Sequence, residues 1–281
     1  RTDAYGDTIW INTYGGSGYD FCYELLQTYD GGFALLGDEQ SFSEGNDNAW
    51  LVKTSANGDS LWSKTYGGIR GKEFIQDSDS GFVITGRTSD YDSIIIKKDK
   101  NGDNVWNNNY SQGVDNQLFA IVNAHDYGYV AAGTWDGGAE PSYVRLLKVD
   151  TMGDEIWDLD FGNSGWNSPR DIIKTDENGF IIFASKHDGP LSAPWIIKTD
   201  TNGNLQWEKI YEGMENPDDE GCKLVETSDG NYVFSLKNPT MLIKISPNPP
   251  EMIVVNEIMQ NPSAVSDANG EWFELYNAGE D

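Results

Sequence analysis

The residues in this sequence that could perform chemistry are few, and their spacing matches no common catalytic centre. Two histidines, His125 and His187, stand far apart and outside any paired metal-ligand spacing such as HExxH. Gly67-Gly68-Ile69-Arg70-Gly71-Lys72-Glu73 has the flavour of a phosphate loop, but it lacks the glycine spacing and the hydroxyl residue after the lysine. Neither Gly16-Ser17-Gly18 nor Asn163-Ser164-Gly165 forms the GxSxG elbow of a nucleophilic serine. Asp99-Lys100-Asn101-Gly102-Asp103 places oxygen ligands at alternate positions, as a calcium loop does, yet the twelfth position is Tyr110 instead of glutamate. The equivalent turn at Asp150 has Met152 where a ligand would stand, so the shared feature is the turn. The expectation is no cofactor and no metal, with calcium left open at these turns and more so at the acidic loop Glu215–Glu220. Better candidates are large exposed-type side chains in variable loops, namely Tyr19, Arg70, Tyr91, Trp135, Trp166 and His187, which suit ligand binding and not bond cleavage.

What must position such side chains is a repeat. Gly-x-x-x-Trp recurs at Gly6–Trp10, Gly58–Trp62, Gly102–Trp106, Gly153–Trp157 and Gly203–Trp207, with tryptophans 52, 44, 51 and 50 residues apart. Five positions before each of the last four glycines a lysine closes an apolar run: Lys53, Lys97, Lys148 and Lys198; Lys244 ends the last unit in the same way. Each unit also carries a glycine-aromatic step, at Gly32-Phe33, Gly81-Phe82, Gly128-Tyr129, Gly179-Phe180 and, more loosely, Gly230-Asn231-Tyr232. Between the landmarks the pattern reads as four short strands, for instance 8–14, 21–28, 33–37 and 49–53, with no amphipathic helical period. Four antiparallel strands copied about every 50 residues predict an all-β β-propeller, here of five visible four-stranded blades. The five landmark tryptophans are read as packing residues: an isolated sheet cannot bury both faces, and a large flat side chain at an equivalent place lets each copy hide against the next.

If strands alternate in direction, successive turns fall at opposite ends of a blade. One end receives the short Asn-Gly turns, read as the links between units, and the Asp-Gly turns before the aromatic step. The other receives the variable segments 15–20, 38–48, 67–73, 87–92, 111–117, 134–142, 162–170, 185–194 and 212–221, where the candidate binding residues fall.

Composition agrees with many turns and aromatic strands: 31 glycines, with 10 Trp, 14 Tyr and 11 Phe in 281 residues. The formal charge of −27 and the absence of a Lys/Arg cluster exclude nucleic acid and disfavour any polyanion as partner. Two cysteines, Cys22 and Cys222, preclude a disulfide framework and read as buried thiols. No apolar run is long enough to span a bilayer as a helix.

After Lys244 the repeat gives way to a proline-rich linker, 245–251. In 252–281, the elements Val255-Asn256-Glu257-Ile258-Met259, Asn261-Pro262 and Gly270-Glu271-Trp272-Phe273-Glu274-Leu275-Tyr276-Asn277 resemble the opening of a lamin-tail domain. That resemblance implies the first strands of an immunoglobulin-like β-sandwich, in a family whose bacterial members are commonly appended to secreted or cell-surface proteins. Residues 1–244 resemble secreted bacterial repeat propellers, and Arg1, five positions before Gly6, reads as the end of a strand from an earlier blade. The functional expectation is a secreted or surface-attached, non-catalytic binding or scaffold module that engages glycan, extracellular polymer or protein through the long-loop face. The alternative is an extracellular glycoside hydrolase with carboxylates near a central channel.

Overall fold

A computed structural model of the chain describes residues 1–40, 48–110, 116–135, 142–162, 165–176, 179–187, 192–212, 222–237, 240–246, 252–258 and 273–277. Every regular element among them is a β-strand. They fall into two compact units, Arg1–Glu140 with Arg145–Asp158, and Pro141–Val144 with Leu159–Asp281.

In the first unit, β1 (Asp20–Gln27), β2 (Phe33–Glu39), β3 (Asn48–Thr54) and β4 (Ser60–Gly67) form one antiparallel meander. A second meander follows in β5 (Ile69–Gln76), β6 (Phe82–Thr88), β7 (Ser93–Lys98) and β8 (Asn104–Asn109). One parallel pair, Asn48 with Ile69, links the two. The third sheet runs in the order β9 (Gln117–Asn123), β10 (Tyr129–Trp135), β11 (Tyr143–Val149) and β12 (Glu155–Phe161). In the second unit, β13 (Ser168–Thr175), β14 (Gly179–His187), β15 (Ser192–Asp200) and β16 (Leu205–Ile210) make a further four-stranded sheet. The last sheet is β17 (Leu224–Glu226), β18 (Tyr232–Lys237), β19 (Thr240–Ile245), β20 (Met252–Ile258) and β21 (Phe273–Asn277). Met252–Ile258, part of the segment that resembles a lamin-tail domain, thus pairs with β19, beside which the other sheets carry their tryptophan strand.

The grouping of strands differs from the sequence reading in one respect. The tryptophan strand is the last of its sheet, not the first, because the Asn-Gly turn is a tight hairpin that returns the chain onto the lysine strand: Lys53 pairs with Trp62 and Lys97 with Trp106. The Asn-Gly connection therefore lies within a sheet. Residues 8–14, expected as a strand, make only the single bridge of Thr2 with Thr8. Cys22, expected buried, is exposed on β1, whereas Cys222 is buried.

Apolar alternation explains the stacking. On β6, Phe82 and Ile84 join a core with Leu36, Leu51 and Phe74, while the intervening Val83 joins a separate core with Leu118, Ile121, Tyr129 and Leu147. A strand whose two faces enter two cores belongs to a sheet sandwiched between its neighbours. In the second unit Ile181 and Phe183 pack in the same way against Tyr232, Phe234 and Ile243.

The repeated landmarks now acquire physical roles. Four of the five lysines end a buried strand and carry the ammonium to an aspartate of the neighbouring turn before the aromatic step: Lys53 to Asp30, Lys97 to Asp79 and Asp77, Lys148 to Asp126, and Lys244 to Asp229. Lys198 instead donates to the Thr175 and Tyr232 hydroxyls. Each of the five landmark tryptophans is half-buried. Trp10, Trp62 and Trp106 pack against the aromatic of the next glycine-aromatic step, Phe33, Phe82 and Tyr129, with ring centroids 5.8, 5.8 and 6.3 Å apart. They also lie over the next turn glycine, Gly58, Gly102 and Gly153, at φ between 77° and 84°, where a Cβ would meet the indole at 2.7 to 3.0 Å. Four residues beyond each of these tryptophans a tyrosine hydroxyl, of Tyr14, Tyr66 and Tyr110, donates to that glycine's carbonyl at 2.5, 3.0 and 2.7 Å.

Candidate functional site at the long-loop end

The best-defined cluster of charged and aromatic side chains at the long-loop end lies in the first unit, around the second sheet. Arg70 on β5 and Arg87 on β6 are directly paired across the ladder, so both side chains leave the same face. Two like charges so placed repel unless something holds them. Arg70 Nε lies 4.0 Å from the Asp38 carboxylate on β2, which also accepts the Tyr23 hydroxyl at 2.5 Å. Burial, and then the Asp38 hydrogen bond and charge, push the Tyr23 hydroxyl up to about 12, so it stays a donor.

Arg87 is oriented differently. Its guanidinium carbon sits 4.1 Å from the centroid of the Tyr91 ring. Tyr91 holds φ at +67°, a left-handed conformation costing a bulky residue about 1–3 kcal/mol. The turn enforces it: Tyr91 N–H donates to Thr88 O at 3.0 Å, Thr88 N–H to Asp92 O at 2.9 Å, and Asp92 N–H to Thr88 Oγ1 at 3.2 Å. Asn116 N–H donates to the Tyr91 carbonyl at 3.0 Å and closes the turn from outside.

Arginines on one face of adjacent strands, one stacked on an aromatic ring and one near a carboxylate, are side chains of the kind that recognise planar anions. They are poor proton-transfer groups, because arginine stays protonated across the working range. Asp38, the nearby carboxylate, is buried and already engaged by Tyr23 and Arg70.

The sequence candidates distribute as follows. Arg70 lies within β5, not in a loop, since only Gly68 separates β4 from β5. Tyr91 occupies the β6–β7 turn and is 47% exposed. Tyr19 precedes β1 and is 77% exposed, beside Asp20, whose carboxylate accepts N–H groups of Gly16 and Gln40 at 2.9 and 3.1 Å. Trp135 ends β10 and is half-buried. In the second unit, Trp166, 60% exposed, bridges Ser142, and His187 ends β14 opposite Ser192. The pairing of Ser168 with Ser185 sets Trp166 and His187 at one end of that sheet. Arg87, Tyr23 and Asp38 were missed by sequence reasoning; a charged residue closing the apolar run Phe82–Gly86 was the available signal for Arg87.

The Asp99 turn is closed by its own backbone. Asp99 Oδ1 accepts the N–H groups of Asn101 and Asp103 at 2.8 Å each, and these backbone bonds, Asp103's first, hold its carboxyl below the usual range. Asp150 and Asp200 cap their turns identically. Glu215–Glu220 lies outside the described residues.

Fold and site together define an all-β, propeller-like repeat protein with a basic, aromatic-lined cluster at one sheet end. No protein-family model matches the chain, and no curated protein does. Among solved structures it is similar to the Dos1 propeller, with a TM-score of 0.53 and 12% identity over 89% of this chain and 61% of that one. It is also similar to a GH43 β-1,3-galactosidase (TM-score 0.43, 12% identity, 93% and 66% covered) and to a eukaryotic initiation factor (TM-score 0.39, 11% identity, 91% and 55% covered). The chain spans less than two thirds of each of these structures. The first likeness bears on the fold alone.

Proposed function

We propose that the chain is a non-catalytic extracellular binding scaffold whose five repeat units act as propeller blades and whose long-loop end takes a carboxylate-bearing glycan, extracellular polymer or protein. The observation that carries this reading is the Arg70–Arg87 pair with Tyr91 held at positive φ beside it. A bulky residue kept at positive φ, with its ring under an arginine, is the kind of local strain that clusters at ligand sites. The charge of −27 opposes a polyanion at long range, but physiological salt screens that repulsion beyond about 8 Å, so close contacts with the two arginines can outweigh it. The resemblance of the last thirty residues to a lamin-tail domain supports secretion or surface attachment.

The test is retention of the whole chain on polygalacturonate, alginate, acidic and neutral glycan arrays and extracellular protein extracts, compared with Arg87→Ala. Binding to carboxylate-bearing probes should fall about tenfold or more in the variant, the loss expected for a charge-assisted contact. Equal retention of wild type and variant refutes the site, and release of new reducing ends from any probe would establish the hydrolase reading instead.

A further inference from the structure

We infer that the opposite, short-turn end of the first unit carries a second binding site, for a neutral sugar, in the groove between the first and second sheets. A cavity of about 370 Å³ opens there, lined by Asp30, Leu61, Trp62, Gln76, Ser80 and Asn101 among others. That volume lies in the range of pockets for small molecules, about 300–1,000 Å³.

The lining combines an apolar wall with fixed polar groups. Trp62 is half-buried and edge-on to Phe82, and the adjacent Leu61 is largely exposed, so both offer apolar surface to the groove. Asp30 accepts from Thr28 Oγ1 at 2.6 Å, Gly32 N–H at 3.0 Å and Lys53 Nζ at 3.0 Å. Those bonds, Thr28's first, hold its carboxyl at about 2, yet the side chain remains 60% exposed and able to accept more. Gln76 is locked by Tyr29 N–H on Oε1 at 2.8 Å and by its own Nε2 on Ser80 O at 3.1 Å. Lys53 and Lys100 also line the groove; Lys53 is paired with Asp30 and Lys100 is an exposed residue, so no buried unpaired charge there favours a charged ligand. A pyranose, with C–H groups on one face and hydroxyls around its rim, matches an indole flanked by carboxylate, amide and hydroxyl.

A second observation concerns the backbone at the groove. Ser80 adopts φ of +65°, and the equivalent positions before the aromatic steps of the first and last units are Gly31 and Gly230, at +80° and +75°. A serine is thus retained in a left-handed conformation that the first and last units give to glycine, and this serine lines the groove. The polar set is also particular to this sheet pair: the next pair has Tyr127 for Ser80 and Met152 for Asn101.

The experiment uses the whole chain with gluco-, galacto-, manno- and N-acetylglucosamine oligosaccharides as probes, followed by tryptophan fluorescence and saturation-transfer NMR. At least one probe should bind with Kd below about 10 mM. Ser80→Gly should raise the melting temperature while weakening that probe about fivefold, and Asn101→Met should weaken it at least as much with the melt unchanged. Arg87→Ala should leave sugar binding intact, so this site and the long-loop site fail or stand separately. No binding by any probe, or wild-type affinity in both Ser80→Gly and Asn101→Met, overturns the inference.

Discussion

Replacing tyrosine by phenylalanine at two equivalent positions of the repeat should shift stability in opposite directions. The Tyr110 hydroxyl is buried and donates to the Gly153 carbonyl at 2.7 Å, a carbonyl that also receives Asn108 Nδ2 at 3.0 Å. Tyr110→Phe removes one hydrogen bond and leaves no orphaned acceptor, so the loss is about 1 kcal/mol, the net worth of a typical buried bond. The repeat itself contains this change, since Phe161 stands four residues after Trp157. Tyr211 occupies the same position after Trp207, is 5% exposed, and its hydroxyl has no hydrogen-bond partner among the described residues. Burial alone pushes its ionisation far above the ordinary range. Tyr211→Phe removes a desolvated hydroxyl that gains nothing in the fold, and it should stabilise by about 1 kcal/mol. For units of this size the two variants should move the melting temperature by roughly 2–4 °C each, downward for Tyr110→Phe and upward for Tyr211→Phe. Circular-dichroism melts and urea titrations at unchanged m-value measure both. If Tyr211→Phe lowers stability as Tyr110→Phe does, the idea that this hydroxyl serves only where a turn carbonyl meets it is wrong.

The ion pairs of the Asp-Gly turns yield two more expectations. Lys97 is 3% exposed and serves both Asp77 and Asp79, so Lys97→Met, which keeps the stem and removes the charge, should cost about 3 kcal/mol in urea titration; a loss within error would show the pair to be idle. Asp30 is held at about 2 by Thr28 and Lys53, and Asp126 is lowered by Lys148. Carboxyls depressed in the fold contribute stability that is complete above their unfolded value near 4 and vanishes as pH falls towards 2. Melting temperatures should therefore stay level from pH 7 to about 5 and drop between about 4 and 2, and a drop beginning above pH 6 would refute this account.

The sheet content and repeat length were legible because they rest on local chemistry: β-branched runs such as Ile94-Ile95-Ile96, and Asn-Gly pairs that impose positive φ. Which four strands share a sheet was not legible, because a cyclic repeat can be cut at any landmark. The cut was decided by the Lys53–Trp62 hairpin, a pairing that spacing alone does not distinguish from a connection between sheets. The recurrence of lysine was visible, but its reason was not: Lys97 and Asp79 are 18 residues apart and meet only after β6 has turned back on β7. The same blindness hid Arg87. Its partnership with Arg70 is a matter of register, and its stacking on Tyr91 depends on a left-handed backbone that tyrosine rarely adopts.

The distribution of these interactions bears on where function can reside. The lysine-aspartate pairs, the indoles over turn glycines and the tyrosine-to-glycine hydrogen bonds all lie toward the short-turn ends of the sheets. Substitution of a buried lysine or a turn glycine there breaks an ion pair or a glycine-dependent fit, a sizeable loss against a total stability of roughly 5–15 kcal/mol. At the other end, Tyr19 and Tyr91 in the first unit and Trp166 in the second are substantially exposed, and their replacement removes little burial. Binding chemistry can therefore change at the long-loop end without threatening the fold. At the short-turn end it must be built into side chains that also hold the sheets, which is the position of Asp30 and Gln76 in the groove beside Trp62.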